Sequence, residues 1–326
     1  KKKKKWTNWC ENKRIVLMEP RGATELQHEL LEKYVSKDLL SKFQICTSIP
    51  GKIPLDKNKI NILWQKNSYD QNNLQEFFRN KSRFNEYDWY VFNSHWTFEK
   101  FRYFFQIPED KSIVIKNGSS HFPKRKIYKK GNPIRIMHHC TPWRGLNVLL
   151  LAMQLIKNPN VTLDVYSSNE VYGSEFAARA NKDTDALFNQ ARKLKNVNYI
   201  GYKPHEYILE NISNYDLFVY PSIFEETFCA SALEALSAGL HVITTNFGAL
   251  PETCAEWPVY INYSKDLQLL GHTFASAIDT CAEYLHTDTI QNHLDEQQKY
   301  FKKFYSWDKK GKEWENFLKG AINVKQ

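Results

Sequence analysis

No run of about 18 consecutive apolar residues occurs in the chain, so nothing in it reads as a helix able to cross a bilayer. The opening KKKKKWTNWC has neither the apolar centre nor the small-residue cleavage site of a signal peptide, and a soluble, cytoplasmic protein is expected. C-x-x-C pairs are also missing. The six cysteines (Cys10, Cys46, Cys140, Cys229, Cys254 and Cys281) are scattered, which argues against a zinc ribbon or a disulfide framework and for reduced thiols. What is present is ample apolar material: 326 residues, 42% hydrophobic and 14% aromatic, enough to bury the cores of two domains.

The net charge of +9 is concentrated. Lys1 to Lys5 carry five positive charges and KRKIYKK (Lys124 to Lys130) another five. Such blocks attract nucleic acid or an anionic membrane face, but the commoner outcome is a frayed terminus and a solvated linker. No nucleic-acid partner is expected; peripheral contact with an anionic membrane stays open.

Short β-branched and aromatic runs alternate with helical patterns, at RIVLM (14), KINILW (59), DWYVFNS (88) and KSIVIKN (111). After a stretch rich in charge and proline, SSHFPKRKIYKKGNP (Ser119 to Pro133), they restart at IRIMHHC (134), VTLDVYS (161), NVNYIG (196), DLFVYPS (216), HVITTN (241) and PVYIN (258). This pattern predicts α/β architecture with mostly parallel sheets. The expected division is 1–125, 126–290, and a helical segment 291–326 that packs across the domains, with Gly311 as a break between helices.

Ligands of open α/β sheets collect at the carboxyl ends of strands. In YPSIFEETFCASALEALSAG, a strand ending at Tyr220-Pro221 leads through a loop with Glu225 and Glu226 into a helix expected to begin near Thr227 or Phe228. Free amides from Thr227 to Ala230 would form an anion site suited to a diphosphate. Glu226 would point just beyond it, and Glu234, two turns in, could accept hydrogen bonds from a sugar diol. On spacing alone, a helix-dipole carboxylate and an exposed one explain the pair equally well. A second stretch, HHCTPWRGLNVLLLAMQLI, weighs against those plainer roles. It places Arg144 at the carboxyl edge of its sheet, where a guanidinium can fork onto phosphate oxygens.

Together TPWRGLNVLLLAM, YPSIFEETFCASALEALSAGLHVITTNFGALPET and KNGSSHF resemble the retaining glycosyltransferases of family four, whose motif of Glu, seven residues, Glu is matched by Glu226 and Glu234. The resemblance implies the GT-B fold, two Rossmann-like domains facing across a cleft. It implies transfer of a hexose from a nucleotide-sugar donor, GDP-linked slightly ahead of UDP-linked, to a glycan, lipid-linked or protein-attached acceptor. Arg144 would then contact the diphosphate, with His139 beside it, and the backbone of Phe228, Cys229, Ala230 and Ser231 would hold phosphate and sugar. Glu226 would bind donor-sugar hydroxyls, Glu234 the ribose, and Tyr202 and Lys203 would flank the base. Gly22 occupies the place of the glycine-rich first loop. Departures are a single glycine there, His139 and Arg144 where the family has Arg and Lys, and no clear histidine after NILWQKN. The alternative is a degenerate member acting as a nucleotide- or carbohydrate-binding module.

The same resemblance implies front-face substitution, in which cations and helix amides on the leaving group carry the catalysis. No cofactor and no essential metal are expected. Asp183 and Asp185 have D-x-D spacing but lie in a polar, helix-prone segment. His138, His139 and Cys140 lack a second cluster to complete a tetrahedral set. The aromatics of SHWTFEKFRYFFQI (Ser94 to Ile107) could stack bases or acceptor sugars, although a helix face packed in a core is the commoner meaning of such a stripe.

Overall fold

The computed structural model describes residues 21–170 and 174–325. Its first parallel sheet runs in the order β1-β2-β3-β4, with β1 Phe43–Thr47, β2 Ile60–Gln65, β3 Trp89–Phe92 and β4 Ser112–Val114. Around it lie α1 (Ala23–Tyr34), α2 (Lys37–Leu40), α3 (Asn72–Phe78) and α4 (His95–Phe105). The second parallel sheet runs β10-β9-β8-β5-β6-β7. Its strands are β5 Ile134–His138, β6 Val161–Val165, β7 Val197–Tyr199, β8 Leu217–Tyr220, β9 His241–Thr245 and β10 Val259–Ile261. The remaining helices are α5 (Leu146–Leu155), α6 (Ser174–Lys193), α7 (His205–Ile212), α8 (Ala230–Ser237), α9 (Leu250–Cys254), α10 (Leu267–Tyr284), α11 (Asp288–Tyr305) and α12 (Trp307–Lys325). This is the α/β architecture of two parallel sheets that the sequence predicts, with the strand RIVLM falling outside the described residues.

Each sheet is covered on both faces, which is why β2 (INILWQ) and β8 (LFVY) are buried at every position. Alternation along a strand sorts side chains between the two layers. In the second sheet Ile136 and Val219 join Leu149, Phe188 and Phe274 on one face. Met137 and Phe218 join Ile208, Leu233 and Phe301 on the other. In the first sheet Ile62 and Trp64 pack on Leu31 and on the last helix, while Leu63 and Phe92 pack on Phe78 and Phe101.

The chain returns to the first sheet at its end. Tyr305 belongs to a core of the second sheet and Trp307 to a core of the first, so the crossing takes two residues. Ser119 N–H donates to the Tyr305 carbonyl and Trp307 N–H to the Ser119 carbonyl, which draws Ser306 out of the helix. The Trp64 and Trp314 rings then meet edge to face at 4.7 Å, burial worth about 3–5 kcal/mol for either ring on truncation to alanine.

Three expectations are corrected. Gly311 does not break the helix: α12 runs through it, and a Cβ there would lie 3.0 Å from Cβ of Tyr34, so the glycine serves close approach to α1. Residues 119–133 connect the two sheets and are only partly solvated: residues 124, 127 and 129–133 are exposed, but the stretch between is anchored. The Arg125 side chain is almost fully buried, with Nε 2.8 Å from Asp295 and Nη1 2.7 Å from Gln291, and Lys126 pairs with Asp216 at 2.9 Å. The helix after Glu226 begins at Ala230, because Cys229 adopts a left-handed conformation (φ 77°) and ends the loop later than the composition indicates.

Candidate functional site

β5 and β8 are neighbours, yet the chain leaves them in opposite directions, β5 toward β6 and β8 toward β9. Their following helices lie on opposite faces, α5 among one set of core residues and α8 among the other. This is a topological switch point, where a crevice opens beyond the carboxyl ends of the strands.

Two loops meet there, residues 139–145 and 221–229. Gly145 (φ 116°) ends the first, and a Cβ on it would come within 2.0 Å of the Pro221 carbonyl oxygen. At Gly248 (φ 63°) an added Cβ would lie 2.5 Å from the backbone nitrogen of Glu226. Only glycine permits such approaches of one backbone to another.

A cavity of about 190 Å³ lies in the crevice. Of the residues singled out in the sequence, it is lined by Gly22, His139, Arg144, Tyr202, Lys203, Cys229, Ala230, Ser231 and Glu234. Glu226, Thr227 and Phe228 stand behind that lining. The Glu226 carboxylate, 3% exposed, accepts hydrogen bonds from Arg144 Nη1 and the Tyr220 hydroxyl. Arg144 also lies over the Phe224 ring, 4.5 Å from its centroid. The guanidinium is thus held between a buried carboxylate and a ring.

Thr227 is turned away from the cavity toward the first sheet. Its hydroxyl donates to the Lys66 carbonyl (2.9 Å), and its own carbonyl accepts from the hydroxyls of Ser94 (2.7 Å) and Thr97 (3.1 Å). Phe228 is buried and its carbonyl accepts from the Thr253 hydroxyl. The expected amide cluster of Thr227 to Ala230 is therefore shifted onward, to the start of α8, which no side chain caps. Uncapped amides at a helix start offer donors and a positive dipole end to an anion.

Glu234 is the most strongly held acid in the cavity. Its Oε1 lies 2.7 Å from His205 Nε2 and its Oε2 3.3 Å from His139 Nε2. Burial on its own would raise the carboxyl, but the charge and hydrogen bonds of His205 and His139 outweigh it and hold Glu234 well below the usual carboxylate range. Burial likewise lowers His205, and Glu234 overrides it, so this imidazole is raised. His138, one residue before His139, is instead sealed in β5 beneath the Val219 carbonyl and is pushed down to about 4 by burial.

Two residues of the site escaped the sequence reading. His205 follows Pro204 at the first position of α7, and its only sequence signal is proximity to Tyr202 and Lys203. Arg21 closes one side of the cavity, with Nη1 2.6 Å from Glu206 and Nη2 2.9 Å from Glu29. It thereby spans from the α1 side to α7. Asp185 lies on α6, and the side chain of Asp183 is outside what is described. Among the described residues no group of three or more His, Cys, Asp or Glu is arranged to hold a metal ion, and no helix is long and apolar enough to cross a membrane.

Residues 119–267, which hold the second sheet and both loops, match the family model of the glycosyl transferases group 1. No curated protein sequence matches the chain. Among solved structures, a glycosyltransferase from Rickettsia africae is similar with a TM-score of 0.65 at 15% identity, over 94% of this chain and 84% of that one. HepE of Anabaena, solved with UDP and glucose, is similar with a TM-score of 0.60 at 16% identity, over 80% and 72%. Sucrose-phosphate synthase of Thermosynechococcus elongatus gives 0.62 at 15%, over 96% and 82%. The shared feature is the GT-B fold.

Proposed function

We propose that this chain is a glycosyltransferase that moves a hexose from a nucleoside-diphosphate sugar to a glycan, lipid-linked or protein-attached acceptor, with retention at the anomeric carbon and without a metal. The observation that carries the reading is the meeting of Arg144, the uncapped start of α8 and the ionised Glu234 in one cavity at the switch point. The family match over these same loops supports it. HepE, solved with UDP and glucose, moves a UDP-sugar ahead of a GDP-sugar as the first donor to try.

In this reading the diphosphate sits on the Ala230 and Ser231 amides with Arg144 on its other side. Glu234 accepts the ribose hydroxyls, while His139 and His205 keep it ionised and fix its orientation. Tyr202 and Lys203 lie by the base. The bond from the anomeric carbon to the diphosphate oxygen breaks as the acceptor oxygen attacks from the same face, and the acceptor's proton passes to the leaving oxygen. Charge grows on the diphosphate, where Arg144 and the amides are already in place. Glu226 acts through Arg144, by fixing the guanidinium, in place of the sugar contact expected from the sequence.

The test is to incubate the protein with UDP-glucose, UDP-N-acetylglucosamine and GDP-mannose, with and without EDTA, and to follow release of the nucleoside diphosphate. Slow hydrolysis of one donor, indifferent to EDTA and lost in Arg144→Ala, is expected. If no donor binds, the assignment is wrong. Binding without turnover would favour the non-catalytic module.

A further inference from the structure

Helix α4 follows β3 and has two unlike faces. Thr97, Phe101 and Phe105 are buried against the first sheet. Trp96, Lys100, Tyr103 and Phe104, spaced i, i+4, i+7 and i+8, share the other face. Tyr103 is 78% exposed and Phe104 52%. The Tyr69 ring, from the loop after β2, lies nearly parallel to Phe104, with centroids 4.6 Å apart and planes 13° apart. It meets Trp96 edge-on at 6.4 Å. Lys100 Nζ lies 5.0 Å from the Trp96 centroid and 5.3 Å from that of Tyr69. The result is a cluster of four rings, two exposed and two half-buried, with a cation set beside Trp96 and Tyr69. Large aromatic side chains grouped at a surface in this way mark a binding surface.

This row is continuous with the donor loop. Glu225, immediately before Glu226, pairs with Lys100 at 3.7 Å and faces the Tyr69 hydroxyl. Ser94, the N-cap of α4, donates to Thr227 on the far side of Glu226. Glu252 of α9 accepts from the His95 and Trp96 backbone amides at 2.9 and 2.8 Å. The loop that carries Glu226 is thus tied on both sides to the helix that displays the rings.

The cations of α4 are matched. Arg102 bonds Glu99 at 2.6 Å and lies 3.6 Å from Glu109, and Lys100 is taken by Glu225. A surface for anionic lipid would leave its basic groups uncommitted to carboxylates. Aromatic faces beside paired polar groups suit a neutral polyol, whose C–H faces lie on the rings and whose hydroxyls reach the carboxylate and ammonium.

We propose that Tyr69, Trp96, Tyr103 and Phe104, with Lys100 and Glu225, form a stacking platform for the sugar rings of a neutral oligosaccharide acceptor, beside the donor loop. The proposal rests on the transferase reading and narrows its acceptor from three classes to a glycan. Glu225 becomes the link between platform and donor loop.

The experiment presents the full chain, a Tyr103→Ser/Phe104→Ser double variant and Trp96→Ala to immobilised neutral oligosaccharides of two to six residues, built from glucose, mannose, galactose or N-acetylglucosamine. Binding of UDP is measured on the same samples, and thermal midpoints confirm folding. Tyr103 and Phe104 are exposed, so the double variant is expected to fold even if Trp96→Ala does not. The wild type is expected to retain at least one of these glycans, and the double variant to lose tenfold or more of that affinity. The proposal is overturned if none is retained or if the double variant binds as the wild type does. It is equally overturned if these substitutions abolish association with phosphatidylcholine–phosphatidylglycerol vesicles or self-association while leaving glycan binding unchanged. A wild type that binds glycan but no UDP, GDP or sugar-linked form of either would overturn the donor site and leave the platform standing.

Discussion

The carboxyl edges of the two sheets differ in how their buried polar groups are held. At the edge of the second sheet, buried charge is matched residue by residue: Glu226 with Arg144 and Tyr220, Glu234 with His139 and His205. At the edge of the first, Gln65, Lys66, Asn93 and Asn117 are all buried, and each has a polar side-chain atom with no hydrogen-bond partner. Buried polar groups are ordinarily satisfied, so unspent capacity of this kind costs stability. The second edge also keeps His139 Nδ1, Thr141 Oγ1 and Ser167 Oγ without a hydrogen-bond partner, so what sets it apart is its two buried acids, each held by more than one partner. The difference teaches that the proposed donor site rests on the paired acids of the second edge, while the first sheet contributes attachment points such as Ser94 and Thr97.

The comparison breaks most easily at Arg144. Its replacement by alanine removes the cation proposed to face the leaving diphosphate and leaves Glu226 buried without it. A fall of about 10² to 10³ in turnover is expected, as for loss of a single oxyanion donor. Donor-hydrolysis rates of Arg144→Ala against wild type provide the check.

Next in size is Gly145→Ala. The residue sits at φ 116°, and its new Cβ would strike the Pro221 carbonyl, so the two loops must part. A loss of about 2 kcal/mol or more is expected, read from denaturant midpoints.

His205→Gln tests the matched edge through pH. The folded imidazole is raised above its ordinary 6.5 by Glu234, so its contribution is complete below about pH 6.5 and is lost as pH rises through the raised value. The difference in thermal midpoint between wild type and variant should be largest near pH 6 and shrink on the alkaline side.

The smallest effect is expected at the edge of the first sheet. Lys66 Nζ is buried over the Trp64 ring, 3.4 Å from its centroid, and burial pushes the amine well down. The ring contact offsets part of that cost. Because the unfolded chain binds this proton more readily than the folded one, the term gains stability as pH rises. Lys66→Met should flatten that dependence and leave the neutral-pH midpoint equal or slightly higher, since exchanging an unpaired polar group for an apolar one is close to neutral or favourable.

Much of the fold was legible because strands buried on both faces read as unbroken apolar runs. β1 was not: FQICT is buried only at Phe43 and Cys46, and Gln44 spends its amide and carbonyl on Pro54 and Asp56. The start of α8 was misplaced because the left-handed turn falls on Cys229, where composition offers no glycine to announce it. Gly311 was read as a break because its true reason, the nearness of Tyr34, belongs to a distant part of the chain. The same holds for the site. Arg144, Glu226 and Glu234 stand out along contiguous motifs, whereas His205 and Arg21 acquire their roles only from partners brought up by folding.

Glu234, an ionised acceptor inside the cavity, is the residue on which the proposed nucleotide site depends most. Calorimetric titration of the protein with UDP and with GDP, without metal, tests this most directly when repeated on Glu234→Ala. Binding of one nucleotide at a single site, weakened about tenfold or more by the substitution as for a lost hydrogen bond to a charged group, is the predicted result. Equal affinity in wild type and variant, or no binding of either nucleotide, would contradict it.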